Sequence, residues 1–129
     1  MKLFARLPYI GNIFFYHIYL YYEEPQLFSG ITDTGQLYLI SSLPEDNKSK
    51  SWLALPLSQG RLKSLENNEI EIRQAFLEPE TFLWRIKLTE ESYNLCYFIP
   101  ELLTEDILPE PGEYLNFTEG QNGYNSSFN

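Results

Sequence analysis

The only histidine and the only cysteine of this 129-residue chain are the side chains most easily used for catalysis. An imidazole ordinarily titrates near neutral pH, so His17 could act as a general base with Glu23 or Glu24 as its carboxylate partner. However, His17 lies among aromatic and aliphatic residues, and no catalytic or zinc-binding motif surrounds it. Cys96 has no basic neighbour in sequence to lower its pKa. We therefore interpret both residues as structural and expect no enzyme activity.

Metal and cofactor sites are not indicated either. One histidine and one cysteine cannot complete a closed zinc site without carboxylates. The acids Asp33, Glu45 and Asp46 do not have the spacing of an EF-hand loop. The seven glycines are scattered and form no phosphate-binding loop. We expect the protein to hold no metal ion and no cofactor.

The charge of the chain is strongly asymmetric. The net charge is −9, and residues 1–63 contribute +1 while residues 64–129 contribute −10. An acidic surface repels phosphate backbones, so we expect no direct binding of nucleic acid. It would suit a partner protein with a basic surface, although solubility alone also accounts for such a charge.

Residues 13–22 contain the densest aromatic stretch and predict a strand. Nearly every position is apolar or aromatic, which is typical of a strand covered on both faces, or of one whose second face is left for a ligand. Tyr19 and Tyr21 alternate along this strand and would share one face, bordered by the two glutamates that follow it. Coverage of this face by the helices or the C-terminal part of the chain is the alternative. The predicted binding residues are Tyr19, Tyr21, Tyr22, Glu23, Glu24, Arg73 and Arg85.

The remaining patterns predict further strands and two helices. A Thr-Asp-Thr-Gly turn at 32–35 predicts a hairpin, Ser58 predicts a helix start, and Glu78-Pro79 predicts a helix end. We expect one α+β domain over residues 1–115, built on a five- or six-stranded, mainly antiparallel sheet with two short mid-chain helices, and a disordered tail over residues 116–129. The other predicted strands cover 26–31, 36–41, 52–57, 82–88 and 93–99, and the helices cover 58–67 and 71–77.

No membrane-spanning or secretory segment is predicted. The apolar run at 13–22 has about half of the roughly 20 residues that span a bilayer, and the N-terminus lacks the apolar core of a signal peptide. A single cysteine excludes an internal disulfide and favours a reducing compartment. We expect a cytoplasmic protein that does not act at a membrane.

Three stretches of the chain carry a family resemblance: "YYEEPQLFSGITDTGQLYLI", "WLALPLSQGRLKSLENNEIEIRQAFLEPE" and "ILPEPGEYL". They contain a Tyr-acid-x-Pro-x-Leu-Phe motif, a hairpin ending in Gly-x-x-Tyr-Leu, a helix started by serine and a helix end of the form Ala-Phe-x-x-Pro. Over residues 14–115 the chain thereby resembles a family of small bacterial proteins known only as a domain of unknown function. The resemblance implies one compact bacterial domain and carries no activity.

Three functional hypotheses follow. The first is a non-catalytic interaction protein, of immunity, antitoxin-like or adaptor type, that binds another protein through its acidic half and aromatic strand. The second is a small-molecule or nucleotide-binding protein that uses tyrosine faces together with Arg61, Arg73 or Arg85. The third is a hydrolase in which His17 lies about 3 Å from Cys96 or a carboxylate. Homodimer formation through an edge strand or the aromatic face is compatible with each.

Overall fold

Seven strands form a single antiparallel sheet in which every strand pairs with its neighbour in sequence. The structure, a computed structural model, describes residues 1–44, 49–89, 92–98 and 103–117, and the side chains of all of these except residues 96–98. The two end strands contact each other, so the sheet is nearly barrel-shaped. The strands are β1 (Leu3–Leu7), β2 (Gly11–Tyr22), β3 (Glu24–Thr32), β4 (Leu37–Ser42), β5 (Ser49–Leu57), β6 (Leu83–Thr89) and β7 (Ser92–Phe98), and the helices are α1 (Gln59–Glu66) and α2 (Ile72–Leu77).

The expectation of an α+β domain with five or six strands is wrong, because the sequence reading omitted β1. This strand has only five residues, and only Ala5 and Leu7 are buried. Its pairing with β2 and the contact of Phe4 with Tyr93 of β7, at 6.4 Å between ring centroids, hold it in place. Such tertiary contacts, more than local pattern, decide whether a short segment is extended. The antiparallel pairing and the two short helices are confirmed.

Both faces of the central strands β4 and β5 are apolar and buried. Along β4, Leu37 and Leu39 pack on one side while Tyr38 and Ile40 pack on the other. The inner core collects side chains from both ends of the curled sheet and therefore lies on its concave face. The inner core consists of Ala5, Leu7, Ile13, Ile18, Phe28, Tyr38, Ile40, Trp52, Ala54 and Ile86.

The outer core lies on the opposite face of the sheet, under the two helices and residues 103–117, which we call the C-terminal segment. Helix α1 begins after Ser58, whose Oγ accepts a hydrogen bond from the Arg61 N–H at 3.1 Å. The C-terminal segment covers the remaining part of the outer core, where the side chain of Leu115 is buried. The outer core consists of Tyr19, Leu37, Leu39, Leu43, Leu53, Leu55, Leu57, Leu62, Leu65, Ile72, Ala75, Phe76, Leu83 and Leu115.

Strand β2 departs from regular alternation. Its pairing register with β3 shifts three times between Phe15 and Tyr21, and each such irregularity changes the face to which the following side chains point. As a result Tyr19 belongs to the outer core while Tyr21 packs against the inner core. The two tyrosines that were predicted to share a face therefore lie on opposite faces of the sheet.

Gly30 marks a close approach of β3 to β2. A Cβ at this position would lie 2.6 Å from Ile13 Cγ2 and 3.3 Å from Ile40 Cδ1, and both isoleucines are fully buried in the inner core. We expect Gly30→Ala to lower the free energy of unfolding by about 1–3 kcal/mol through overpacking, measured by urea denaturation.

Gly60→Ala is the matched control, because the added Cβ has no atom within 4 Å and the residue lies in α1. Alanine favours the helix, so this variant should keep or gain up to about 1 kcal/mol of stability. Equal stabilities of the two variants would contradict the close packing of β2 on β3.

Candidate functional site

His17 lies on the outward face of β2, beside the last residue of α1. Its Nδ1 atom is 2.6 Å from Glu66 Oε2, and the two side chains are 28% and 15% exposed. At this distance the Nδ1–H donates to the carboxylate oxygen. Among the described residues, none forms a hydrogen bond with the other ring nitrogen, Nε2. The carboxylate thus fixes one edge of the imidazole and leaves the other edge for a ligand.

Glu66 is held in turn by a buried tyrosine. The Tyr19 hydroxyl donates to Glu66 Oε2 at 2.5 Å and lies 2.9 Å from Ser29 Oγ, which also accepts the His17 backbone N–H at 3.1 Å. Burial and the hydrogen bond to Glu66 raise the pKa of Tyr19 far above its ordinary value, so this hydroxyl remains a donor. The result is a closed network that sets the position of the imidazole.

Two aromatic rings enclose the imidazole of His17. The ring of Tyr16 lies 4.3 Å from it and the ring of Phe117 lies 4.4 Å from it, between centroids, and Phe117 is stacked at an interplanar angle of 24°. Phe117 also meets Tyr19 edge-on at 5.6 Å. The two aromatic rings therefore pack against the imidazole and limit its movement.

Phe117 falls within the part of the chain that was predicted to be a disordered tail. The preceding residue, Asn116, is hydrogen-bonded to Asn68 at 2.9 Å and 3.3 Å. Residues 118–129 lie outside the described residues, and the predicted domain end at residue 115 stays a prediction.

A cleft of about 450 Å³ opens beside this network, and we call it the His17 cleft. Helix α1 supplies one wall with residues spaced three or four apart, which places them on one face of the helix. Strands β2, β3 and β4 and Phe117 supply the rest. The cleft is lined by Tyr16, His17, Ile31, Leu37, Gln59, Leu62, Lys63, Glu66, Asn67 and Phe117.

The carboxylate that contacts His17 is that of Glu66, whereas the sequence suggests Glu23 or Glu24 for this role. In sequence 49 residues separate Glu66 from His17, so no local spacing could have indicated the pair. The side chain of Cys96 lies outside the described residues. In the described part of the chain, no three or more histidine, cysteine or acidic side chains are grouped as metal ligands would be.

The other residues at the end of β2 occupy different environments. Tyr22 is exposed, and Glu23 is exposed in the turn to β3 with a φ of 64°. Glu24 is half-buried and forms an ion pair with Lys50. Their predicted role in binding stays a prediction.

The three arginines of the nucleotide hypothesis are held by the protein itself. Arg61 Nη2 donates to the Glu78 carbonyl at 2.7 Å, and Arg73 Nη1 donates to the Pro109 carbonyl at 3.2 Å. Arg85 Nη2 lies 3.5 Å from Ser51 Oγ. None of these arginines lines the His17 cleft.

A second concavity lies between the ends of β2, β3 and β4, the start of α2 and the C-terminal segment. We call it the acidic groove, because Asp106 and Glu113 are the only charged residues in the described part of its lining; its volume is about 440 Å³. The remaining lining is mostly apolar. It consists of Leu20, Gln26, Leu27, Ser41, Ser42, Leu43, Pro44, Ile72, Ile107, Leu108 and Pro109.

Arg73 fastens the C-terminal segment to α2 at the edge of this groove. Besides the bond to the Pro109 carbonyl, its guanidinium pairs with Glu105. This hydrogen bond, followed by the charges of Glu105, Glu110 and Glu71, raises the pKa of Arg73, while Arg73 lowers the pKa of Glu105. The one arginine is thus surrounded by several acids, and the surface around the groove remains acidic.

The fold, with the His17 cleft and the acidic groove, defines a curled antiparallel-sheet domain with helices over one face. The chain belongs to a family of unknown function (DUF6575), whose sequence model matches residues 1–117. No curated protein and no solved structure matches it. Neither helix in the described residues has the length and hydrophobicity of a transmembrane helix.

The hydrogen bond from Tyr19 to Glu66 allows us to predict how much stability the protein loses when the Tyr19 hydroxyl is removed. We expect Tyr19→Phe to lower the free energy of unfolding by about 1–3 kcal/mol, because the largely buried Glu66 Oε2 loses one of its two donors. Thermal or urea denaturation measures this loss.

Tyr38→Phe is the control, since Tyr38 is also buried but its hydroxyl forms no hydrogen bond with a described residue. This substitution should change the stability by less than about 0.5 kcal/mol. A similar loss of stability in Tyr19→Phe and Tyr38→Phe would show that the hydrogen bond to Glu66 does not stabilise the fold.

Proposed function

We propose that this protein is a non-catalytic interaction domain, and that its acidic groove binds a segment of a partner protein carrying basic and apolar side chains. The observation that supports this function is the combination of an open apolar floor with two acidic residues, Asp106 and Glu113, as the charged residues of the described lining. The proposal includes the immunity, antitoxin-like or adaptor role and the bacterial, cytoplasmic setting expected from the sequence.

The floor of the groove offers apolar surface to a partner. Leu20 of β2 is 49% exposed, and the neighbouring Leu27, Ile107 and Leu108 are only half-buried. Clustered and incompletely buried apolar side chains of this kind often mark binding surfaces. A leucine-sized side chain that fills the groove would gain about 1.5–3 kcal/mol from its burial.

The rim of the groove selects the charge of the partner. Asp106 and Glu113 line it, and Glu110 lies in the same acidic segment. Glu23 occupies the β2–β3 turn, three residues before the lining residue Gln26. Lysine or arginine side chains beside an apolar anchor would therefore be attracted, which raises the association rate and favours basic partners.

A second copy of this chain is the competing occupant. In a symmetric dimer the same patch meets itself, so two acidic rims would be brought together at a cost in electrostatic free energy. The net charge of −9 acts in the same direction. A basic partner relieves this repulsion, and we therefore favour it over a homodimer.

A short peptide with alternating leucine and lysine residues tests the proposal. We expect it to bind the full chain at low salt, to bind more weakly at high salt, and to bind better than the peptide with glutamate in place of lysine. Leu20→Ser should weaken binding about tenfold in a calorimetric titration, because the anchor loses its apolar contact. Leu3→Ser is the matched control, since Leu3 is equally exposed (49%) but lies on β1 outside the groove.

The charge of the rim is tested separately. Asp106→Asn combined with Glu113→Gln should weaken binding of the basic peptide. Asp33→Asn combined with Glu78→Gln removes the same amount of charge outside the groove lining and should weaken binding less. Equal losses for the two double variants, or equal binding of the lysine and glutamate peptides, would refute recognition by the groove.

A further inference from the structure

We infer that the His17 cleft binds a small organic anion, and that the anionic group is held between the imidazolium of His17 and the ammonium of Lys63. The apolar body of this ligand would lie against Ile31, Leu37 and Leu62, which line the same cleft. This inference concerns a different concavity from the acidic groove, so either proposal can fail without the other.

The network presents one edge of His17 to the cleft. Glu66 accepts the hydrogen bond from Nδ1, and the rings of Tyr16 and Phe117 pack against the imidazole. The imidazole nevertheless lines the cleft and is partly exposed. Its Nε2 atom forms no hydrogen bond with a described residue and can meet a ligand, and an imidazole held by these contacts loses little further freedom on binding.

The charge balance of the cleft is unlike that of the rest of the protein. Among the described residues, the charged or titratable ones that line the cleft are His17, Lys63, Glu66 and Tyr16. Glu66 is the only acid in this described set, and its Oε2 already accepts hydrogen bonds from His17 and Tyr19. With a protonated His17 these side chains carry a net positive charge, on a chain of charge −9. An anion repelled elsewhere would be attracted here.

The hydrogen bond to Glu66 decides what the other ring nitrogen can bind. With Nδ1–H donating to Glu66, a neutral ring can only accept at Nε2, whereas the imidazolium donates from both nitrogens. The other charged or polar aromatic side chains near the ring are Tyr16 and Tyr19 on β2 and Lys63 and Glu66 on α1. The described lining residues from β3, β4 and the C-terminal segment are uncharged. An anion at Nε2 is therefore bound by the imidazolium form of His17.

The size and lining of the cleft narrow the ligand class. A volume of about 450 Å³ lies within the range of small-molecule sites, roughly 300–1,000 Å³. Gln59 and Asn67 add neutral hydrogen-bonding groups to the wall from α1. A carboxylate or phosphate monoester attached to one ring or a short aliphatic chain meets these conditions.

Titration of the full-length protein with benzoate, followed by NMR, tests the inference. We expect benzoate to perturb the ring resonances of His17 and to bind at least about tenfold more tightly than the neutral isostere benzamide. Phenyl phosphate in place of benzoate distinguishes a phosphate ligand from a carboxylate, and tighter binding of either supports the anion site. Equal affinities for benzoate and benzamide would overturn it.

Two lysine variants localise the site. Lys63 is exposed on α1, and Lys63→Gln should weaken the binding of benzoate about three- to tenfold. Lys87→Gln is the control, because Lys87 is exposed on β6 and does not line the cleft. His17→Gln should also weaken benzoate binding, because the charged donor at Nε2 is lost. Equal effects of the two lysine variants, or unchanged benzoate binding in His17→Gln, would refute the assignment.

Discussion

The two apolar faces of β4 and β5 are the constraint on which the rest of the structure depends. A strand buried on both sides needs two covers, because either face left open would expose a row of leucine, isoleucine and tryptophan side chains to water. The sheet supplies the first cover itself by curling until β1 reaches β7. The helices and the C-terminal segment supply the second cover, and Leu115 anchors that segment in the outer core.

Both concavities arise from this second cover. The C-terminal segment contributes Phe117 to the His17 cleft and residues 106–109 to the acidic groove. Helix α1 brings Glu66 to His17 across 49 residues of sequence. The segment is held by Arg73 and by the pairing of Asn68 with Asn116. A loss of these contacts would therefore alter the acidic groove and the His17 cleft together.

Much of the local structure could be predicted from the sequence, because the signals are short-range. The aromatic run at 13–22 is a strand, Ser58 caps α1, and α2 ends before the Glu78-Pro79 pair. The number of strands could not be predicted, since the five residues of β1 are extended only through their contacts with β2 and β7.

The geometry of the sites was harder to predict for the same physical reason. Strict alternation places Tyr19 and Tyr21 on one face, but the register shifts of β2 separate them. Glu66 and Phe117 meet His17 only because the outer core folds α1 and the C-terminal segment over β2. The charge asymmetry can be counted in the sequence. The position of acidic side chains beside an apolar groove depends on how the chain folds, so the sequence alone does not indicate it.

Amide hydrogen exchange at Ile72 tests most directly whether the C-terminal segment is a permanent cover. Ile72 is the first residue of α2, so its N–H has no carbonyl of the same helix as an acceptor. It donates instead to the Glu113 carbonyl at 3.0 Å. The account predicts that Ile72 exchanges within about tenfold of the helix-interior Phe76, while Gly60, in the first turn of α1, exchanges much faster. Exchange at Ile72 as fast as at Gly60 would contradict it, because the segment would then be detached from the outer core.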